Sequence, residues 1–283
     1  GGGSSPSYDT DRYAACDSGA DANSSADCAR VGVENSLHDY WSDELGSRYR
    51  PISALTTFEG SVSTRCGNAT SDVGPFYCPV DAGIYLDSGF FDSVLERQLG
   101  GPDGGFVEAY VLAHEYGHHV QNVLGYMSRV RTQQGPTSDA VRLELQADCL
   151  AGMWTRAATT TEDASGQVLI SELTDEDITL ALEAASAVGD DRIQQRTQGQ
   201  VTEESWTHGS AEQRMRWFRV GLFAVSAGMA GVAGALYAGL RGTVGAAEFQ
   251  FFGSFTLLLL AVVFGVTSVT GAALGGIGLM MLP

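Results

Sequence analysis

The sequence predicts a mainly helical α+β domain with a small sheet, followed by a hydrophobic helical tail. Three observations carry this. Several segments repeat apolar residues at helical spacing. Two short runs rich in Thr, Ile, Leu and aromatic residues read as strands. Nearly all the charge lies within residues 1–218, while 220–283 form an almost unbroken apolar block. The expected organisation is a flexible lead over 1–30, a domain over 31–218 and a membrane-spanning tail over 219–283.

The 283 residues carry a formal charge of −18, and all sixteen basic residues are Arg. Such an acidic surface argues against nucleic acid and against anionic lipid as partners. Five cysteines are present without a C-x-x-C pair, which argues against a structural zinc ribbon. Cys16 and Cys28, and again Cys66 and Cys78, are twelve residues apart in loop-like sequence. Two local disulfides are expected, and they would place the domain outside the cytoplasm. Cys149 falls in a helical pattern and reads as a small buried residue. The chain begins with Gly and shows no signal peptide, so its natural N-terminus is expected upstream.

Residues 1–29 are rich in Gly, Ser, Asp and Ala and read as a flexible lead. Val33, Leu37, Tyr40 and Trp41 predict a helix over 31–45. Pro51 to Phe58 reads as a strand that stops at Gly60. Residues 66–81 read as a loop, Ile84 to Leu86 as a second strand, and Phe90 to Leu99 as helical. The glycines of 100–105 end that segment. A central helix is expected over 106–124, apolar on nearly every side and therefore buried. A second strong helix is expected over 139–157. A third begins at the acidic turn Thr174 to Asp177 and runs to about Val188. Residues 190–207 read as irregular, and Ser210 opens a short Arg-rich helix ending near Phe218.

The central helix carries His114, Glu115 and His118, in the His-Glu-x-x-His order that many zinc peptidases use. Residues four apart share a helix face, so two imidazoles can grip one ion. Glu115 borders that face, where a carboxylate can take a proton from water activated by a metal. A hydrolytic zinc site takes three protein ligands and leaves a fourth position open. Glu144 is the candidate third ligand. It lies four residues before Asp148 among Leu143, Leu145, Ala147 and Leu150, where an unpaired carboxylate would be costly. One of the two carboxylates would bind the ion. The other would accept a proton from a ligand histidine and fix its tautomer. His119 points away from His118 and reads as structural, and His38 reads as surface or packing.

Four stretches together resemble the neutral zinc metallopeptidase family of bacteria. They are 113–124, 74–79 with 84–87, 144–152, and 207–214. The resemblance covers about residues 31–218. It implies a zincin-like α+β fold, zinc as cofactor, and a peptide or protein substrate. It supports His114, His118 and Glu144 as metal ligands and Glu115 as general base, which leaves Asp148 as the carboxylate behind a ligand histidine. His208, in Thr207-His-Gly209, is the candidate for steadying the developing oxyanion. The competing reading of His208 is a cap for the helix that follows. A third reading of the whole site is a closed, purely structural zinc shell.

From Val220 to Leu240 there are twenty-one uncharged residues, and from Phe249 to Leu282 thirty-four. The first is long enough for one membrane span, and the second for a span plus a broken, Gly-rich segment. These stretches resemble the later membrane segments of branched-chain amino acid ABC-transporter permeases. The alternative function is therefore a permease fragment with an incidental front domain. Arg214, Arg216 and Arg219 favour a cytoplasmic start to the tail, and the disulfides an outside domain. The expected location is a membrane with the domain extracytoplasmic.

Overall fold

In a computed structural model, residues 13–102 and 104–223 are described. Residues 1–225 form one unit, and the unit from 226 on lies outside the described residues. The helices are α1 (Gly19–Ser24), α2 (Ala26–Leu45), α3 (Gly105–Val123), α4 (Asp139–Ala157), α5 (Asp175–Ala187) and α6 (Asp190–Gln198). A further helix, α7, spans 211–223. The strands are β1 (Leu55–Phe58), β2 (Ser61–Thr64), β3 (Gly67–Thr70), β4 (Phe76–Cys78) and β5 (Gly83–Asp87). The fold is mainly helical α+β with small sheets.

Helix α3 is the centre of the described unit. Fifteen of its residues, from Phe106 to Gln121, are buried. Helices α2, α4 and α5 and strands β4 and β5 pack around it. Arg30 of α2 pairs with Glu108 of α3 at 2.7 Å, and Trp154 of α4 donates to Ser36 of α2 at 3.2 Å. The Ser138 hydroxyl accepts from the Val141 amide and caps α4. Thr174 and Asp177 form a reciprocal capping box on α5.

The main sheet has the order β1-β5-β4. β1 runs parallel to β5 with Leu55 opposite Ile84, and β4 runs antiparallel to β5 with Tyr77 opposite Ile84. β2 and β3 form a separate hairpin. Both expected disulfides are present, Cys16–Cys28 and Cys66–Cys78. The second ties the hairpin loop to β4. Cys149 is a free thiol, half-buried rather than fully buried.

The structure corrects several expectations. The stretch 66–81 holds β3 and β4, not loop alone. β3 is Gly-Asn-Ala-Thr and β4 only Phe-Tyr-Cys, and their pairing with β2 and β5, together with the disulfide, fixes them in a way that local propensity does not report. The stretch 190–207 contains α6. It is polar nearly throughout, so no apolar stripe announces it. Side-chain bonds from Asp190 and Asp191 to the 207–211 segment anchor its start instead. Within the lead expected over 1–30, residues from 18 on form a capped α1 and the start of α2. Helix α7 passes through Phe218 without a break.

No helix among the described residues is long and apolar enough to cross a membrane. The tail expected to span a membrane, and the permease resemblance it carries, lie from residue 224 on outside the described residues.

Candidate metal centre

Two close helix contacts build the site. Gly117 of α3 lies against Ala147 of α4, where an added Cβ would stand 3.1 Å from the Ala147 Cα and carbonyl oxygen. That approach sets α3 and α4 backbone to backbone and carries Glu144 over the two histidines. On the other side of α4, a Cβ at Gly152 would meet the Phe218 carbonyl at 2.2 Å. One at Gly221 would meet the Cys149 carbonyl at 1.9 Å. Helix α7 is thereby pressed onto α4, and its Arg214 reaches the site.

His114, His118 and Glu144 each offer a ligand atom, and all three atoms lie within 4.8 Å of one another. His114 Nε2 stands 3.1 Å from Glu144 Oε2, and His118 Nε2 3.4 Å from Glu144 Oε1. Donors roughly 2.0–2.1 Å from a tetrahedral zinc stand about 3.4 Å apart. The spacing therefore suits that ion.

Both imidazoles have their Nδ1 atoms engaged elsewhere. His114 Nδ1 lies 2.8 Å from Asp148 Oδ1, and His118 Nδ1 lies 2.9 Å from the Gln121 amide oxygen. Gln121 in turn donates to the Leu143 carbonyl at 2.7 Å and to Gln146 at 3.1 Å. Its amide is thus oriented with the oxygen toward His118. With Nδ1–H donating, both Nε2 atoms are left as lone-pair donors on the Glu144 side.

Asp148 is fully buried and saturated with partners. Tyr110 donates to it at 2.6 Å, and Arg214 donates from Nε at 2.9 Å and from Nη2 at 3.0 Å. Burial opposes its charge, but Arg214 and His114 outweigh that and push its carboxyl down to about 2. Burial also opposes the charged form of Glu144, yet His118 and His114 hold it well below the usual range.

Glu115 is also buried. It has no hydrogen-bond partner among the described residues, and burial raises its carboxyl pKa. A desolvated carboxyl of this kind is a better base near neutral pH than an exposed one. Three carboxylates against the guanidinium of Arg214 leave two negative charges unbalanced when both imidazoles are neutral. One divalent cation would balance them. Charge and donor set both fit zinc.

His208 lies apart from the histidine pair but shares a cleft with Glu144. It lines a cleft of about 530 Å³ with Glu144, Thr207, Leu143, Gln133 and Gln134. Its side chain is 50% exposed. Burial opposes the imidazolium, but Asp190 and the charge of Glu144 outweigh burial and Arg214 and raise its pKa. His119 points away from the cluster. It bonds the Tyr77 hydroxyl at 3.0 Å and the Arg50 carbonyl at 2.6 Å, and so ties α3 to the sheet and its approach. His38 contacts the Tyr49 hydroxyl at 3.0 Å.

Local sequence patterns assign no role to Gln121, Tyr110, Arg214 or Asp190. A polar Gln121 in an otherwise apolar helix, one turn past His118, is a readable signal. Arg214 closes the 207–214 motif, but nothing local says that it turns inward.

Fold, donor set and charge together define an α+β domain built around a site for a divalent metal. The chain belongs to the family described as "Putative neutral zinc metallopeptidase", whose model matches residues 5–230. Zinc is therefore its cofactor. Relatives include an uncharacterized protein of Mycobacterium tuberculosis, 51% identical over 208 residues, which are 73% of this chain and 70% of the relative. The uncharacterized protein YpfJ of Escherichia coli is 40% identical over 185 residues, 63% of this chain and 60% of that protein. No solved structure matches.

Proposed function

We propose that this chain hydrolyses peptide bonds at the His114–His118–Glu144 site. The observation that carries the reading is Glu115: a buried carboxyl, raised in pKa, next to three converging donors and without a hydrogen-bond partner among the described residues. A structural zinc shell has no use for such a group.

In this reading His114, His118 and Glu144 hold zinc, with Asp148 and Gln121 fixing the two tautomers. Zinc, when bound, supplies Lewis acidity at the open position. Glu115 accepts the proton of the attacking water and later delivers it to the leaving amine. His208, as the imidazolium, donates to the former carbonyl oxygen as negative charge builds there. The cleft beside Glu144 and His208 receives the peptide, with the Gln133 and Gln134 amides available to its backbone. Two disulfides favour an oxidising, extracytoplasmic compartment. The uncharged tail sequence favours attachment to a membrane there.

The test is Glu115→Gln in the full chain, read by mass spectrometry on a mixed peptide library and by metal analysis. One zinc per chain with turnover reduced at least 10²-fold is expected, while His114→Ala should lose the zinc. Wild-type cleavage rates in Glu115→Gln would end the reading.

A further inference from the structure

Asp190 is buried, yet its carboxylate is spent on a segment whose histidine is half in solvent. Oδ2 accepts three successive backbone N–H groups, from Thr207 at 2.8 Å, His208 at 2.7 Å and Gly209 at 2.9 Å. The Asp190 amide returns a bond to the Gly209 carbonyl at 2.8 Å. The second oxygen, Oδ1, faces His208 Nδ1 at 3.4 Å. The Thr207 hydroxyl also meets Nδ1, at 2.8 Å. His208 Nε2 has no partner among the described residues, and the residue lines the cleft that reaches Glu144.

We propose that Asp190 is the positioning residue of the site: it clamps the 207–209 backbone and selects the His208 tautomer that carries its proton on Nδ1. This rests on the peptidase reading for its purpose, since a neutral ring so held meets the cleft with Nε2 unengaged. The Thr207 hydroxyl can donate or accept, so it leaves the tautomer open. The carboxylate only accepts, so a hydrogen bond from the ring to Oδ1 needs the proton on Nδ1. When the ring takes a second proton at Nε2, the same carboxylate supports the imidazolium, and the new N–H points at the substrate oxygen.

Asp190→Asn separates the two tasks. Three converging N–H groups demand the amide oxygen at the Oδ2 position, which turns the amide NH₂ toward His208 Nδ1. The backbone clamp survives, but a donor now faces Nδ1 and the proton moves to Nε2. The full chain, labelled with ¹⁵N in its five histidines, is read at a pH where the ring is neutral, with His208→Gln assigning the signal. The expected spectrum is Nδ1–H in the wild type and Nε2–H in Asp190→Asn. Because a neutral amide that donates to Nδ1 cannot support the imidazolium, peptide turnover should fall roughly tenfold to a hundredfold with KM within about twofold, and the melting temperature should change little.

A wild-type ring protonated on Nε2 overturns the proposal without any variant. So does an Asp190→Asn ring identical to the wild type. Unchanged turnover in His208→Gln would remove His208 from the chemistry, a failure of the reading beneath. The ring spectrum, taken without substrate, tells that failure apart from failure of the clamp.

Discussion

Asp148, itself out of reach of water, accepts from Tyr110, His114 and two nitrogens of Arg214. Such a carboxylate is stable only while its counter-charge is present. Arg214→Met should therefore cost roughly 3–5 kcal/mol, because it strands a buried anion. Arg214→Met with Asp148→Asn should cost less than that single change, since neither charge is then left alone. Urea unfolding of the two variants decides this, and a cost under about 1 kcal/mol for the single variant would contradict it. The pH sign follows from the same group. Its folded carboxyl is pushed down to about 2 from the ordinary aspartate value of roughly 3.9, so its stabilisation is complete above about pH 4. It fades as the pH falls toward 2. Asp148→Asn should flatten the stability curve in that window.

At the scale of elements, the contact of α3 with α4 matters most, and Gly117 sets it. A side chain there would push against the Ala147 backbone, which cannot rotate out of the way. Gly117→Val should destabilise by about 1–3 kcal/mol and, more tellingly, part Glu144 from the histidines. The zinc content of the purified variant, measured beside its melting temperature, checks both effects. Full zinc occupancy would show that the two helices can separate without losing the site. The two histidines and Glu115 are legible in the sequence because one helix fixes their spacing. Glu144 is legible only as a candidate, since its helix can meet α3 at many angles. Gln121 and Asp190 act across turns and between elements, and no residue pattern announces such pairings. Helix α6 is hidden for a related reason: its stability comes from bonds to the 207–211 segment rather than from an apolar face.

For the described unit as a whole, Cys16–Cys28 ties the start of the chain to α2, and Cys66–Cys78 secures what the small sheets cannot. β2, β3 and β4 are three or four residues each, too short to hold a register unaided. Cys66–Cys78 closes a loop of twelve residues between the hairpin and β4. Loss of a bridge over a loop of that size costs on the order of 3 kcal/mol. Cys66→Ser with Cys78→Ser should lower the melting temperature and expose β4 to proteolysis, while zinc binding persists. A melting temperature equal to that of the wild type would show that the hairpin holds without its bridge.

The amino-acid order alone made legible the main helices, the shared face of His114 and His118 on α3, the two cysteine pairs and the resemblance to zinc metallopeptidases, because each is written in short-range spacing or short motifs. Only the tertiary structure decided which carboxylate meets the histidines, that Arg214 from α7 lies buried against Asp148, and that Asp190 grips the His208 segment. Those are meetings between parts of the chain far apart in sequence. Their geometry is set by where glycines let backbones touch, a property of pairs of elements and not of either one.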